Sequence, residues 1–214
     1  MRRQLCVLLI FNIGFVLTVM SQQKGPEFLF RESQDAKVYF LDGSFSNEKI
    51  NYNVRGNELY FIDKSDGFEK IVSSTEKIRV IKVDNRNFIL VKGHLQEVLP
   101  TTPPIYVEYL AKIQTKAQNA GYGSTSQTSS ITSYSIGQQG LLAPEAKEIE
   151  AMGFNYNFWI EKNGSKKQFS NFRQFLKIYS KHKNVLDEYI KSNNIEFNNI
   201  EGIVNLCLYA ESLN

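Results

Sequence analysis

Turn-forming residues recur about every ten positions between residues 37 and 99, and this spacing is the strongest constraint on the fold. Runs rich in branched and aromatic residues lie between the turns, for example residues 37–41 before Asp42-Gly43 and residues 58–62 before the turn at 63–67. Such runs are typical of antiparallel strands joined by tight connections. No long helical pattern separates them, which argues against a parallel sheet. The spacing therefore predicts an antiparallel meander that forms a sandwich or a partly closed barrel.

Two later segments extend this pattern. Residues 105–113 have apolar positions that fit a strand or a helix, and their branched and aromatic content favours a strand. Residues 154–160 alternate aromatic and polar side chains, which places Phe154, Tyr156 and Phe158 on one face of a strand. We expect this second segment to return to the first sheet and to join both halves of the chain.

Helical spacing replaces the strand pattern in roughly the last fifty residues. Apolar side chains three and four positions apart predict three helices, over residues 172–179, 185–190 and 200–208. A further short helix is predicted over residues 143–151, beginning near Pro144. The three C-terminal helices are too short to be stable alone, so we expect a small cap packed on the sheet. The predicted fold class is α+β, an antiparallel β meander followed by a C-terminal helical cap.

Composition divides the chain into four parts. Residues 1–21 are predicted to be a signal peptide, 22–117 a β-rich domain, 118–143 a flexible loop, and 144–214 the strand and the three-helix cap. The loop is rich in Ser, Thr, Gly and Gln and is almost uncharged. It therefore cannot bury enough apolar surface to hold one conformation.

The first 21 residues have the three parts of a secretion signal. Two arginines precede an apolar run over residues 5–19, and Val19 and Ser21 mark a cleavage point before Gln22. The run is shorter than the ~20 apolar residues that a membrane-spanning helix needs, which favours cleavage over a permanent anchor. The sequence predicts an exported protein, periplasmic or extracellular, with no stable transmembrane span after cleavage.

Charge and cysteine content bear on two further classes of protein. Without the signal arginines, the chain carries 23 basic and 22 acidic residues, so it lacks the strong basic excess of a nucleic-acid-binding protein. Cys6 leaves with the signal, and Cys207 then stands alone in an apolar run. We expect no intramolecular disulfide and a buried, unreactive thiol at Cys207.

Three features occur together along the chain. They are Gln22 at the predicted cleavage point, the run Glu-Leu-Tyr-Phe-Ile-Asp at 58–63, and a tail with Leu-Lys-Ile-Tyr at 176–179 and Leu-Asp-Glu-Tyr-Ile-Lys at 186–191. This combination resembles a group of small exported proteins of Bacteroidetes-type bacteria. The resemblance implies export and a β-then-α order of elements. Its motifs are packing and turn patterns, so it implies no catalytic residue.

Few residues are candidates for catalysis. His94 and His182 are the two histidines, and with one cysteine they do not supply the four close ligands of a structural zinc site. The sequence also lacks the usual metalloprotease, phosphate-loop and serine-hydrolase motifs. We therefore expect no metal and no cofactor. His94 follows Gly93 between two strands, where a side chain can face solvent, and it is the one candidate catalytic residue.

Aromatic side chains provide the candidate binding residues. Trp159 falls on the strand face opposite Phe158, where it either binds a sugar ring or a partner protein or is covered by the helices. Tyr122 and Tyr134 lie in the polar loop over 118–143, which is either a mobile connection or a binding loop.

These observations favour a non-enzymatic exported protein that binds a protein or a glycan-like ligand, and they do not favour nucleic acid as a partner. Two alternatives stay open. One is a hydrolase of envelope material that uses His94 with a nearby Ser or Asp. The other is a carrier that holds an apolar ligand between the sheet and the helical cap, which would require an enclosed apolar cavity.

Overall fold

The computed structural model describes residues 24–115, 119–120, 124–125, 132–133, 149–162 and 164–213. Its strands are β1 (Gln34–Phe40), β2 (Phe45–Asn53), β3 (Glu58–Ile62), β4 (Glu69–Ile71), β5 (Ile78–Val83), β6 (Arg86–Val91), β7 (His94–Leu99), β8 (Ile105–Thr115), β9 (Asn119–Ala120), β10 (Ser124–Thr125), β11 (Thr132–Ser133), β12 (Ile149–Lys162) and β13 (Ser165–Phe169). Its α-helices are α1 (Phe172–Ile178), α2 (Lys183–Ser192) and α3 (Ile200–Ser212), and short 3-10 turns occupy Thr75–Lys77 and Ser180–His182.

One large antiparallel sheet organises the chain, in the order β13-β12-β8-β7-β6-β5-β1-β2-β3-β4. Most strands that are neighbours in this order are also consecutive in the chain, and the exceptions are β1 beside β5 and β8 beside β12. The short β11 pairs with β8, and β9 pairs with β10 separately. The sheet is open, and the helices follow it in the chain. The prediction of an α+β fold with an antiparallel meander is therefore confirmed.

The sheet curls strongly along this order. The backbone N–H of Leu95 in β7 donates to the hydroxyl of Tyr52 in β2 at 3.2 Å. In the sheet, β1, β5 and β6 lie between these two strands. The contact therefore requires the sheet to fold back over its own inner face, as the right-handed twist of neighbouring strands allows.

The inner face carries two apolar clusters side by side. The first contains buried residues of the early strands, including Val38, Ile81 and Phe88. The second joins Val107 and Phe158 to the inward faces of the helices. Tyr109 packs against both clusters. The side-chain period of two in each strand puts these residues on one continuous face.

The helices form the predicted cap over the second cluster. Asn171 is the N-cap residue of α1, and its side-chain oxygen accepts a hydrogen bond from Gln174 N at 2.9 Å. Asn199 is the N-cap residue of α3, and its side-chain oxygen accepts from Gly202 N at 3.2 Å. Each contact satisfies a backbone donor that the helix itself leaves unpaired. Cys207 of α3 is 1% exposed, which confirms the prediction of a buried thiol.

Sequence and structure agree on both later strands and differ before β12. Residues 105–113 form a strand, and β12 returns to the sheet by pairing with β8, for example Phe158 with Val107. The predicted helix over 143–151 is wrong in its described part, because residues 149–151 belong to β12. There Ala151 pairs with Ile113 of the long strand β8, and this ladder outweighs the local helical preference.

The structure also bears on the predicted absence of a membrane span. Within the described ranges, every helix is too short or too polar to cross a bilayer. The predicted signal peptide lies outside the described residues, as does most of the predicted loop over 118–143.

Candidate functional site

A groove of about 920 Å³ lies where β12 runs on past the end of its partner β13. One wall is β12 with a neighbouring residue of β8, and the other is the start of α1 together with the connection between α2 and α3. The lining residues are Leu110, Asn155, Tyr156, Asn157, Ser170, Phe172, Ile195, Glu196, Phe197 and Asn198. Its size is within the ~300–1,000 Å³ common for ligand sites in proteins.

The apolar wall of the groove is backed by a cluster of aromatic rings. The ring of Phe197 meets Phe172 edge to face with centroids 5.4 Å apart, and it meets Phe158 in the same way at 5.5 Å. Phe158 in turn stacks on Phe169 at 5.5 Å. Edge-to-face and stacked pairs favour defined ring orientations. The wall that a ligand would touch is therefore held in place by the core behind it.

The polar side of the groove is anchored to a buried carboxylate. Asn157 donates from Nδ2 to Oε2 of Glu108 at 3.2 Å, and Glu108 is 6% exposed. This bond fixes which end of the Asn157 amide faces the carboxylate. The amide oxygen of Asn157 is then the acceptor that remains for a ligand.

His94 lies beside the same carboxylate. It begins β7 directly after Lys92 and Gly93, whose φ angles of 53° and 84° match a two-residue hairpin turn that glycine favours. Its Nδ1 is 2.7 Å from Oε1 of Glu108, but the two groups are not aligned as a hydrogen bond. The pair is a close polar contact, and it is an ion pair only when the imidazole is protonated. The side chain of His94 is 31% exposed.

Gln96 adds an unusual feature to this region. It pairs directly with Glu108 across β7 and β8 and is 4% exposed. Among the described residues, its Oε1 atom has no hydrogen-bond donor. Buried acceptors are seldom left without a donor in folded proteins. His94, Gln96 and Glu108 therefore form a group of neighbouring polar side chains on one face of β7 and β8.

Trp159 lies on this same outer face. It is half-buried and pairs with Tyr106 of β8 on one side and Gln168 of β13 on the other. The helices pack on the opposite face, around Phe158. Trp159 is therefore placed away from the cap, and its role in binding stays a prediction.

The two tyrosines proposed from the loop cannot be placed. Tyr122 and Tyr134 lie outside the described residues. Their contact with a ligand stays a prediction.

A second polar cluster lies inside the curl of the sheet. Arg86 donates through Nε and Nη2 to the two oxygens of Glu97, each at 2.8 Å, and Nη2 also donates to the hydroxyl of Tyr109 at 2.8 Å. The Tyr109 hydroxyl donates to Glu97 Oε2. Burial, reinforced by the Glu97 charge, raises the pKa of Tyr109. Every charge here is paired between the two apolar clusters, so we assign this network to stability.

No family model, curated protein or solved structure matches this chain. Within the described residues, no three His, Cys, Asp or Glu side chains are grouped so that they would hold a metal ion. The groove and the polar face beside it are therefore the features of this chain that bear on its function.

Sequence reasoning missed the groove although it placed most of the elements around it. It placed Tyr156 on one face of a strand and position 172 at the start of a helix, but it did not bring the two together. Two signals were present in the chain. Asparagines flank Tyr156 on both sides, and Glu108 interrupts an otherwise apolar and aromatic run over residues 105–111.

Proposed function

We propose that this chain is an exported, non-enzymatic binding protein whose groove beside β12 takes a protein or glycan-like ligand. The observation that carries the proposal is the groove itself, which joins a fixed aromatic wall to amide side chains. Aromatic faces contact apolar surfaces of sugars and side chains, and amides fix orientation through hydrogen bonds. Together they supply the contact surface and the orienting groups of a specific binding site.

Export is part of this proposal. The three-part signal over residues 1–21 supports it, and so does the resemblance to small exported proteins of Bacteroidetes-type bacteria. We propose that the mature protein works in the periplasm or outside the cell. Expression of the full chain with N-terminal sequencing of the secreted product tests this directly. A mature start at Gln22 is expected, and retention of Met1 in the membrane fraction would contradict it.

Binding is tested with a matched pair of aromatic substitutions. Phe172→Ala removes a ring from the groove wall, while Phe45→Ala removes an exposed ring on the far β2 strand. We expect ligands found on glycan or peptide arrays to bind Phe172→Ala at least tenfold more weakly than the wild-type protein. Equal affinity for wild type and Phe172→Ala, with native circular dichroism, would show that the groove is not the binding site.

A second candidate function follows from the contact between His94 and Glu108. A carboxylate lies beside one imidazole nitrogen of His94. In the hydrolase arrangement, a hydrogen bond between these two groups orients the ring, and the other nitrogen acts as base. Against it, no Ser or Thr hydroxyl in the described part of the chain is hydrogen-bonded to His94. Assays with ester, amide and glycoside substrates should show no turnover. Activity that His94→Ala abolishes would establish the hydrolase instead.

The carrier alternative is less well supported. The grooves found in the described part of the chain are open to solvent, and they include polar or charged lining residues. Carrying an apolar ligand requires a site that excludes water from most of the ligand surface. A fluorescent fatty acid titrated into the protein should therefore show no saturable binding.

A further inference from the structure

β12 has an edge that β13 covers only in part. The register between the two strands runs from Lys162 with Ser165 to Phe158 with Phe169. β12 extends from Lys162 back to Ile149, and its other side pairs with β8 over most of that length. Among the described strands, none pairs with the β13 side of β12 before Phe158. The groove lies along this uncovered portion.

The hairpin geometry identifies which backbone groups face the groove. Only two residues separate Lys162 from Ser165, and in such a hairpin the flanking pair is hydrogen-bonded through both backbone groups. Hydrogen-bonded pairs then alternate along an antiparallel ladder, so Ile160 and Phe158 also direct their N–H and C=O toward β13. Two residues further, Tyr156 directs its N–H and C=O to the same side. Those two groups of Tyr156 point at the groove.

The opposite wall supplies side-chain contacts for an incoming strand. Ile195 and Phe197 alternate with Glu196 and Asn198 in the connection between α2 and α3. Of the described lining residues, Glu196 alone carries a charge. A segment bound here would place apolar side chains against Ile195 and Phe197, and a basic side chain would complement Glu196.

We propose that the groove binds an extended peptide segment of a partner protein, which adds to the sheet as a new strand beside β12 at Tyr156. This inference rests on the proposed binding function and names its ligand class. The partner carries alternating apolar side chains and a Lys or Arg near Glu196. Its backbone exchanges hydrogen bonds with the N–H and C=O of Tyr156, and its side chains set specificity, as in strand addition generally.

A peptide fits these features better than a sugar does. The donor and acceptor of Tyr156 are spaced as in a β ladder, and a strand backbone satisfies both with favourable geometry. An uncovered edge is also a known liability that folded proteins cover or block. A sugar would contact the rings and amides of the groove, but it would not pair with the backbone N–H and C=O of Tyr156 as a strand does.

The test begins with random eight-residue peptides displayed on phage and selected on the intact protein, in parallel with an oligosaccharide array. Selected peptides are resynthesised with a single N-methyl group at each backbone position in turn. Methyl groups on the residues that pair with Tyr156 should weaken binding about tenfold or more, since they remove ladder hydrogen bonds and clash with the strand. Methyl groups on the alternate residues should change affinity by less than about threefold. This design leaves the protein itself unaltered.

Two protein-side measurements complete the test. Hydrogen exchange at the Tyr156 amide should slow at least tenfold when a selected peptide binds. Glu196→Gln should weaken binding of a Lys-containing peptide about threefold and reduce its salt dependence, whereas the exposed control Glu201→Gln should not.

Each outcome separates this inference from the proposed function. Alternating N-methyl effects together with slowed exchange at Tyr156 would support strand addition. If only oligosaccharides bind, and Phe172→Ala weakens that binding, the peptide inference is overturned while the proposed binding function is retained. Peptides that bind without the alternating effect would also overturn it. Failure of both libraries to yield any binder would contradict the inference and the proposed function together.

Discussion

Glu97 is the residue whose replacement most sharply tests how the sheet is held in its curl. It is 7% exposed and accepts three hydrogen bonds, two from Arg86 and one from Tyr109. Glu97→Gln keeps the shape of the side chain but removes its negative charge. It also directs an NH₂ group toward Arg86 and Tyr109, which are themselves hydrogen-bond donors. The guanidinium is then left without its counter-charge between the two apolar clusters.

The expected loss in unfolding free energy is about 2–3 kcal/mol. Breaking a buried ion pair from one side costs about 3–5 kcal/mol. The side chain of Arg86 is 35% exposed, so it regains part of its hydration, and the cost should fall just below that range. The unfolding free energy falls by roughly 2 kcal/mol for each molar increase in urea, so the unfolding midpoint should fall by about 1–1.5 M.

Urea unfolding followed by tryptophan fluorescence and circular dichroism measures this shift. Glu76→Gln is the matched control, because Glu76 is an exposed residue of a short 3-10 turn, and its midpoint should match the wild type. A double-mutant cycle with Tyr109→Phe should show coupling between the two positions. A Glu97→Gln midpoint within error of the wild type would refute the assignment of this network to stability.

Three further predictions follow from single side chains. Burial raises the pKa of Tyr52 to about 12, so this tyrosine ionises first in the unfolded chain, and it should lower the unfolding free energy by about 2 kcal/mol between pH 10 and 12. The unfolding free energy of Tyr52→Phe should fall less steeply over that pH range, and urea midpoints that fall equally with pH in the variant and the wild type would contradict this. Asn171→Ala removes the α1 cap bond and should cost about 1 kcal/mol in a urea titration, whereas an unchanged midpoint would argue against the cap. Burial raises the pKa of the Cys207 thiol, so an aromatic disulfide reagent at pH 8 should label it only in urea, and rapid native labelling would contradict its burial.

The strands were predictable because their signals are local. Turn residues such as Asp42-Gly43 and Gly93 mark strand ends within a short stretch of sequence, independently of the rest of the chain. The two-residue alternation over 154–160 determines which side chains share a face. The helices were predictable for the same reason, since Phe172 begins a clear three-and-four spacing after the cap residue Asn171.

The groove was not predictable because it depends on where elements end in space. It exists because β13 stops pairing at Phe158 while β12 continues, and because the connection at 195–198 folds back beside Tyr156. Neither fact is encoded in a short window of sequence. The proximity of Glu108 to His94 likewise depends on the register between β7 and β8, which no local pattern specifies.

Amide hydrogen exchange of the free protein, resolved residue by residue by NMR, tests the central claim that β12 presents an uncovered edge to the groove. We expect fast exchange at Tyr156, whose N–H points into the groove. We expect slow exchange at Phe158, which bonds to β13, and at Asn157, which bonds to β8. Protection at Tyr156 equal to that at Phe158 would mean that the edge is already covered, and it would contradict the binding site proposed for this protein.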